Sequence, residues 1–205
     1  CDLVVGAGDV NARSKEIMLL LTKFWDVLAT IRPEGFKEFR DYLSVASGQQ
    51  SFMFRHVEFI LGNKNKAMAA VHKNVTHVYP AILKNLETPS FYDEVIKLLK
   101  RRDFDIDQEC LSRDWTKSYQ SNKSIENAWL EIYKNPVPTN DLYLFGELLT
   151  EFADIFARYR FQHFITVERI LGFKPGTGGS AGVNWLKTMA GHRFFPELWS
   201  MRTDL

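Results

Sequence analysis

The feature that most limits the fold of this chain is residues 142–172, a stretch without proline and with Gly146 as its only internal glycine. As one continuous helix, this stretch would be roughly 46 Å long. A second stripe of apolar side chains, spaced three to four residues apart, runs through residues 14–31. No alternating pattern of strand length accompanies these two stretches. The sequence therefore predicts an all-α protein.

Shorter helical segments complete the predicted architecture. They are a short helix around Phe36, a helix from Ser51 to Leu61 that stops at Gly62, a segment from Lys66 to Leu86 interrupted near Pro80, a helix that starts at Ser90, and residues 125–133. Residues 101–124 are polar and weakly periodic, so we predict a surface connection there. With 205 residues and no repeat, the chain is predicted to form a single domain over residues 1–205.

Charge and composition exclude several functional classes. The 26 basic side chains nearly balance the 25 acidic ones, and a net charge of +1 gives no long-range field for attracting nucleic acid or an anionic membrane. No apolar run reaches the roughly 18 residues of a membrane span, and no signal peptide opens the sequence. Two cysteines, Cys1 and Cys110, are a poor disulfide framework, which favours a reducing, cytoplasmic setting.

One histidine stands out in the long helical stretch. His163 shares a helix face with Phe156, Tyr159 and Val167, so its imidazole is predicted to point to the interior. Spacing alone favours a core histidine bonded to a carbonyl or carboxylate, and the alternative is an axial ligand of haem iron. No histidine follows at i+4, so a zinc helix of the HExxH type is absent.

The segment GFKPGTGGSAG holds five of the twelve glycines of the chain. It formally fits a dinucleotide-binding fingerprint, but it follows a helix instead of a strand, which argues against that function. Two interpretations remain. The segment is a flexible surface loop, or it is a lid whose backbone N–H groups and Thr177 hydroxyl close over a polar ligand.

Two arginines lie on apolar helix faces. Arg40 is flanked by Phe36 and Leu43, and Arg55 by Phe52 and Phe59. Such a side chain often extends its charged end to water along an apolar surface. The alternative is a guanidinium held in an apolar pocket, where it is well suited to bind a substrate or cofactor carboxylate through two hydrogen bonds.

Four collinear blocks carry a resemblance to a known family. They are FKEFRDYLSVASG, FMFRHVEFILG, YRFQHFITVERILGFKPGTGGSAGVNWL and FFPELWSMRTDL. Together they resemble tryptophan 2,3-dioxygenase, from about Leu28 to the C-terminus. The resemblance implies a helical bundle of the tryptophan/indoleamine 2,3-dioxygenase-like type, with a glycine-rich active-site loop near the C-terminus. It also implies a haem b cofactor and, commonly, a homotetramer.

The same resemblance implies a reaction, in which both atoms of O2 are inserted across the indole C2–C3 bond of L-tryptophan to give N-formylkynurenine. This reaction belongs to tryptophan catabolism by the kynurenine pathway. His163 would be the proximal iron ligand, and Arg40 would hold the substrate carboxylate. The other implied positions are Phe36 and Leu43 at the indole, Thr177 at the amino-acid end of the substrate, Ser47, Gly48 and Tyr159 beside the haem, and Arg55 at a haem propionate.

Three departures from the family pattern leave alternatives open. The block that supplies the family's distal histidine is not in this chain, so we expect it in an N-terminal segment outside this sequence or in another chain, and we assign no catalytic residue here. Gln49 stands where an aromatic residue is usual, and Tyr159 where tryptophan is common. These two changes suggest a monooxygenase that hydroxylates tryptophan or a substituted tryptophan as the alternative. The missing block suggests a non-catalytic haem- or tryptophan-binding protein.

Overall fold

The computed structural model describes residues 2–40, 42, 48–173 and 182–205, without the side chains of Phe39 and Arg40. Its α-helices are α1 (Asp2–Leu28), α2 (Pro33–Arg40), α3 (Phe52–Leu61), α4 (Lys66–Ala70), α5 (Tyr79–Glu87), α6 (Phe91–Arg101), α7 (Gln108–Leu111), α8 (Lys123–Tyr133), α9 (Asp141–Leu171), α10 (Val183–Gly191) and α11 (Glu197–Ser200). Two 3-10 helices cover Gly48–Gln50 and Met201–Asp204. Within these ranges no strand occurs, which confirms the all-α prediction.

Local capping signals set the ends of the best-predicted helices. The Ser51 side chain accepts a hydrogen bond from the Phe54 N–H at the start of α3, and Gly62 ends this helix with a left-handed φ of 100°. Ser90 forms a reciprocal capping box with Asp93 at the start of α6. The predicted segment 66–86 is helical at both ends and interrupted, but the break lies over residues 71–78, before Pro80, and the proline occupies the first turn of α5.

One compact unit comprises Cys1–Val45 and Val137–Arg193. In this unit the long helix α9 packs against both α1 and α10. The buried cluster between α9 and α10 consists of Phe164, Val183, Leu186 and Ala190. The 31-residue length of α9 agrees closely with the predicted stretch 142–172.

Helix α1 packs through a face that the sequence pattern did not reveal. Its buried residues are Asn11 and Trp25, which lie 14 positions, or about four turns, apart. The Asn11 side chain donates to the Leu148 carbonyl at 2.9 Å and to a Glu151 carboxylate oxygen at 2.8 Å. The apolar stripe of residues 14–31 instead leaves Ile17, Leu20, Phe24 and Val27 more than half exposed.

The second compact unit comprises Ala46–Pro136 and Phe194–Leu205. Phe59 of α3 is buried against Ala69, Ile82 and Leu86 of α4 and α5. Helix α11 packs against α8, so the C-terminal residues belong to this unit.

The prediction of a surface connection at 101–124 is wrong for part of its length, because Ile106 and Tyr119 are buried in the second unit. In the part of the chain described here, no helix is both long and apolar enough to cross a membrane.

Candidate functional site: the His163 helix face and the Arg55 cluster

His163 lies on α9 in apolar surroundings. Its ring stacks on Tyr159, one turn earlier, with ring centres 6.3 Å apart and planes tilted by 20°. The Nδ1 atom is buried and has no hydrogen-bond partner among the described residues. Burial lowers the pKa of the imidazole to about 4, so the ring is neutral at physiological pH. The interior orientation predicted from helix periodicity is therefore confirmed.

The Tyr159 ring lies between His163 and a residue from a distant part of the sequence. Trp25 of α1 packs against Tyr159 with ring centres 5.5 Å apart, and only 4% of Trp25 is exposed. Phe156 contacts Tyr159 from the preceding turn at 6.1 Å. Trp25 was not predicted as a site residue, because it lies outside the apolar stripe of residues 14–31.

The surroundings of His163 fit the haem-ligand role that the resemblance implies. A histidine ligates iron as neutral imidazole, which is the form that burial favours here. Metal-ligating histidines commonly donate their second ring N–H to an oxygen acceptor or water. The buried Nδ1 has no such acceptor among the described residues, so a water or a residue outside them would have to supply one.

A buried arginine of α9 contacts the end of α10. Arg160 is fully buried, donates to the His192 carbonyl at 3.2 Å, and holds its guanidinium 4.9 Å from the Phe156 ring centre. Burial, together with the nearby charges of Arg160 and Arg193, lowers the pKa of His192 to about 4. This contact joins α9 to the end of α10 beside the His163 helix face.

Arg55 of α3 does not extend to water. Only 2% of it is exposed, and its guanidinium donates to the Glu58 carboxylate, to the Gln49 carbonyl at 3.1 Å and to the Met68 sulfur at 2.9 Å. The Phe59 ring lies 5.9 Å from the guanidinium carbon. The interpretation of Arg55 as an arginine that reaches solvent is therefore wrong, and its buried guanidinium is bonded to groups of its own chain.

The partner of Arg55 is itself held by other buried groups. Glu58 is completely buried, and its second carboxylate oxygen accepts from the Asn63 side chain at 3.2 Å. The Ser118 hydroxyl donates to Asn63 at 3.2 Å, which connects this cluster to the loop after α7. Glu58 was not predicted from the sequence, although its position three residues after Arg55 on one helix is a signal for an ion pair.

Two buried polar side chains next to this cluster have side-chain atoms without a hydrogen-bond partner among the described residues. Both amide atoms of Gln49 lack hydrogen bonds within the described ranges, although only 1% of the residue is exposed. His72 is equally buried, and burial followed by the charge of Arg55 lowers its pKa. Gly48, immediately before Gln49, has a left-handed φ of 58° that favours glycine.

The remaining predicted positions are only partly visible. Phe36 is half-buried in α2, in the same unit as Tyr159 and His163. Arg40 ends α2, but its side chain lies outside the described part of the structure. Leu43, Ser47 and Thr177, together with most of the glycine-rich segment, lie outside the described residues.

Comparison with known sequences identifies the family of this chain. A profile of the tryptophan 2,3-dioxygenase family matches residues 9–89 and 130–205. The chain belongs to the tryptophan 2,3-dioxygenase family. Both matched segments contain site positions, since the first includes Arg55 and the second includes His163.

Curated members of the tryptophan 2,3-dioxygenase family are similar along nearly the whole chain. The tryptophan 2,3-dioxygenase of Cupriavidus necator is 47% identical over 193 residues, which are 94% of this chain. Tryptophan 2,3-dioxygenase 1 of Ralstonia nicotianae is 45% identical over 95% of the chain, and the Burkholderia ambifaria enzyme is 44% identical over 100% of it. The chain spans 66% of the length of each of these three relatives.

Proposed function

We propose that the protein containing this chain is a haem b-dependent dioxygenase that inserts both atoms of O2 across the indole C2–C3 bond of L-tryptophan, giving N-formylkynurenine. The observation that carries the proposal is His163, an imidazole kept neutral by burial on α9 of a chain that belongs to this family. The curated relatives are named tryptophan 2,3-dioxygenase, which supports the same substrate and the same reaction.

In this proposal His163 holds the iron through its imidazole. The haem supplies a redox-active iron that activates molecular oxygen. Tyr159 and Trp25 pack in sequence behind the imidazole, so they restrict the rotation of its ring and exclude water from that side. Tyrosine at position 159 also adds a phenol group where the family commonly has tryptophan.

Three of the other assigned residues would contact the cofactor. Ser47 and Gly48 lie beside the haem in this proposal, and Arg55 neutralises a propionate. The hydrogen bond from Arg55 to Glu58 would fix the guanidinium for that contact, and Asn63 would fix Glu58 in turn.

Arg40 would bind the tryptophan carboxylate through charge-assisted hydrogen bonds, and Thr177 would meet the amino-acid end of the substrate. Phe36 and Leu43 would line the indole. The glycine-rich loop around Thr177 would close over the bound substrate and exclude water.

We also propose that the protein works as a homotetramer in the cytoplasm, in tryptophan catabolism by the kynurenine pathway. The exposed apolar side of α1 supports an assembly, because Ile17, Leu20, Phe24 and Val27 form a surface that another subunit would cover. The proposed reducing location agrees with the half-buried, unpaired thiol of Cys110.

His163→Ala in the full-length protein tests the proposal. We expect wild-type protein to give the spectrum of five-coordinate ferrous haem and to convert tryptophan to a product heavier by two oxygen atoms. The variant should lose that spectrum. Native-like haem ligation in the variant would remove His163 from the iron, and absence of any tryptophan product from haem-loaded wild type would overturn the proposed reaction. A product with one added oxygen would identify a monooxygenase instead.

Arg40→Ala tests the substrate assignment separately from the haem assignment. Loss of a charge-assisted hydrogen bond costs about 1.5–3 kcal/mol, so we expect KM to rise at least about tenfold while haem content stays at the wild-type level. Loss of haem with unchanged KM would move Arg40 from the substrate to the cofactor.

A further inference from the structure

Helix α1 carries two parallel stripes of side chains, one packed against α9 and one exposed. The packed stripe is buried or half-buried and consists of Asn11, Ser14, Met18, Leu21, Trp25 and Leu28. The second stripe, which we call the α1 seam, consists of the residue before each of these: Val10, Arg13, Ile17, Leu20, Phe24 and Val27, all of them exposed. Because one residue turns a helix by about 100°, the α1 seam lies directly beside the packed stripe.

The α1 seam is apolar except for Arg13. Its five apolar side chains are each between 52% and 66% exposed. Their spacing, which alternates between three and four residues, is the heptad pattern of helices that pair in a coiled coil. Soluble monomers rarely expose a continuous apolar surface of this kind, so we expect the α1 seam to be covered by protein.

The charges of α1 restrict how two copies of the helix could pair through this seam. A parallel pair places identical positions opposite each other, so Arg13 would face the partner's Arg13 within an apolar contact. Like charges placed together in an interface are unfavourable. An antiparallel pair separates the two arginines.

An antiparallel pair related by a two-fold axis at the centre of the α1 seam matches all six positions. The layers are Ile17 with the partner's Leu20, Arg13 with the partner's Phe24, and Val10 with the partner's Val27, and the two-fold axis produces each layer twice. A guanidinium over an aromatic ring is a favourable cation–π contact. Arg13 can make this contact and keep its ion pair with Glu16, which lies 3.2 Å away.

The charges that flank the α1 seam match in the same register. Glu16 and Lys23 are exposed on the side of the seam that faces away from α9, and they lie seven residues, or two turns, apart. In the antiparallel pair, Glu16 and the partner's Lys23 lie at levels only about 3 Å apart along the helix axis. The two-fold axis produces this ion pair twice. The charge pattern therefore complements a second copy of the same helix.

We propose that two copies of this protein associate through the α1 seam, with their α1 helices antiparallel and related by a two-fold axis. The inference rests on the assembly in the proposed function, to which it adds the contact surface, its direction and its register. The contact itself requires neither haem nor tryptophan turnover.

Leu20→Asp and Leu19→Asp in the full-length protein test the contact surface. The two leucines are neighbours and are 66% and 64% exposed, but only Leu20 belongs to the α1 seam. Each copy loses one buried leucine in Leu20→Asp, and each loss is worth about a factor of ten in affinity. We therefore expect the dissociation constant of the assembly, measured by analytical ultracentrifugation, to rise at least about hundredfold in Leu20→Asp and to stay unchanged in Leu19→Asp.

Charge reversal tests the antiparallel register. Glu16→Lys and Lys23→Glu should each raise the dissociation constant at least about tenfold, because each variant replaces two attractive contacts by two repulsive ones. The double variant restores opposite charges, so its dissociation constant should return to within about threefold of the wild-type value. Asp26→Lys is the control, because Asp26 is an exposed acid of α1 outside the seam, and it should change nothing.

Each outcome decides one part of the proposal. All the substituted positions are exposed, so far-ultraviolet circular dichroism should show folded variants. A monomeric wild-type protein, or an unchanged dissociation constant in Leu20→Asp, overturns the contact surface, and the second result would arise if a segment of the same subunit covered the seam. Lack of recovery in the double charge reversal overturns the antiparallel register.

The association is measured separately from haem content and tryptophan turnover, so the two proposals fail separately. Association through the α1 seam without any tryptophan product would overturn the proposed reaction alone. Tryptophan turnover by a protein whose association ignores Leu20→Asp would overturn the seam alone.

Discussion

Replacement of Arg55 and Glu58, one at a time and together, measures how much the free energy of unfolding depends on the pairing of their two buried charges. Each side chain is at most 2% exposed, so a single replacement leaves one charge buried without its partner. We expect Arg55→Met and Glu58→Met each to lower the free energy of unfolding by about 3–5 kcal/mol. The double variant removes both charges and leaves only neutral groups, such as the Asn63 amide, short of a partner. Its cost should be about 2 kcal/mol, well below the sum of the two single costs.

Urea denaturation followed by circular dichroism gives the coupling energy from this double-mutant cycle. The exposed pair Asp154–Arg158 on α9, 2.9 Å apart, is the control, and its coupling should be about 0.3–0.5 kcal/mol. For Arg55 and Glu58 we expect a coupling of at least about 3 kcal/mol. Additive single costs, with a coupling no larger than that of the control pair, would refute the argument that Glu58 holds Arg55 in place.

Three further predictions concern the second unit. Gly62→Ala should lower the free energy of unfolding by about 2–4 kcal/mol in chemical denaturation, because φ is 100° and an added Cβ would lie 2.7 Å from the Tyr119 ring. A loss below about 1 kcal/mol would contradict this geometry. Burial lowers the pKa of Lys64 from 10.5 to about 8, so between these pH values the unfolded chain holds a proton that the folded chain has released. The free energy of unfolding therefore rises with pH in this window, and Lys64 contributes about 2.5 kcal/mol of that rise from pH 7 to pH 10. The variant Lys64→Met should abolish the rise. The exposed control Lys66→Met should keep it. Ser90→Ala removes the α6 capping box and should lower the melting temperature by an amount equivalent to about 1–2 kcal/mol, and an unchanged melting temperature would show that the cap is dispensable.

Helix positions were predictable where the signals are local. Ser51 and Gly62 bound α3, and Ser90 starts α6, because capping depends on the side chain and backbone of one or two residues. The long helix α9 was predictable for the same reason, since it needs only a stretch without helix breakers. Such signals act within a few residues, so no tertiary contact is required to recognise them.

Predictions failed where burial depends on distant partners. The apolar stripe of α1 suggested a buried face, but α1 packs through Asn11 and Trp25, whose partners lie more than 130 residues away. The polar character of residues 101–124 concealed Tyr119, which is buried by stacking on Tyr92. Composition measures how apolar a segment is, but it does not state which other segment will cover it.

Sequence signals were sufficient for the helical class, the ends of the best-capped helices, the motifs of the family and His163 as the candidate iron ligand. The pairing of the chemical groups became known from the fold. The fold places Trp25 against Tyr159, pairs Arg55 with Glu58, and buries Glu197 with the Tyr92 hydroxyl bonded to it. The physical reason is that pKa values, desolvation and hydrogen-bond partners depend on which atoms meet in space, and the chain brings most of them together from far apart in sequence.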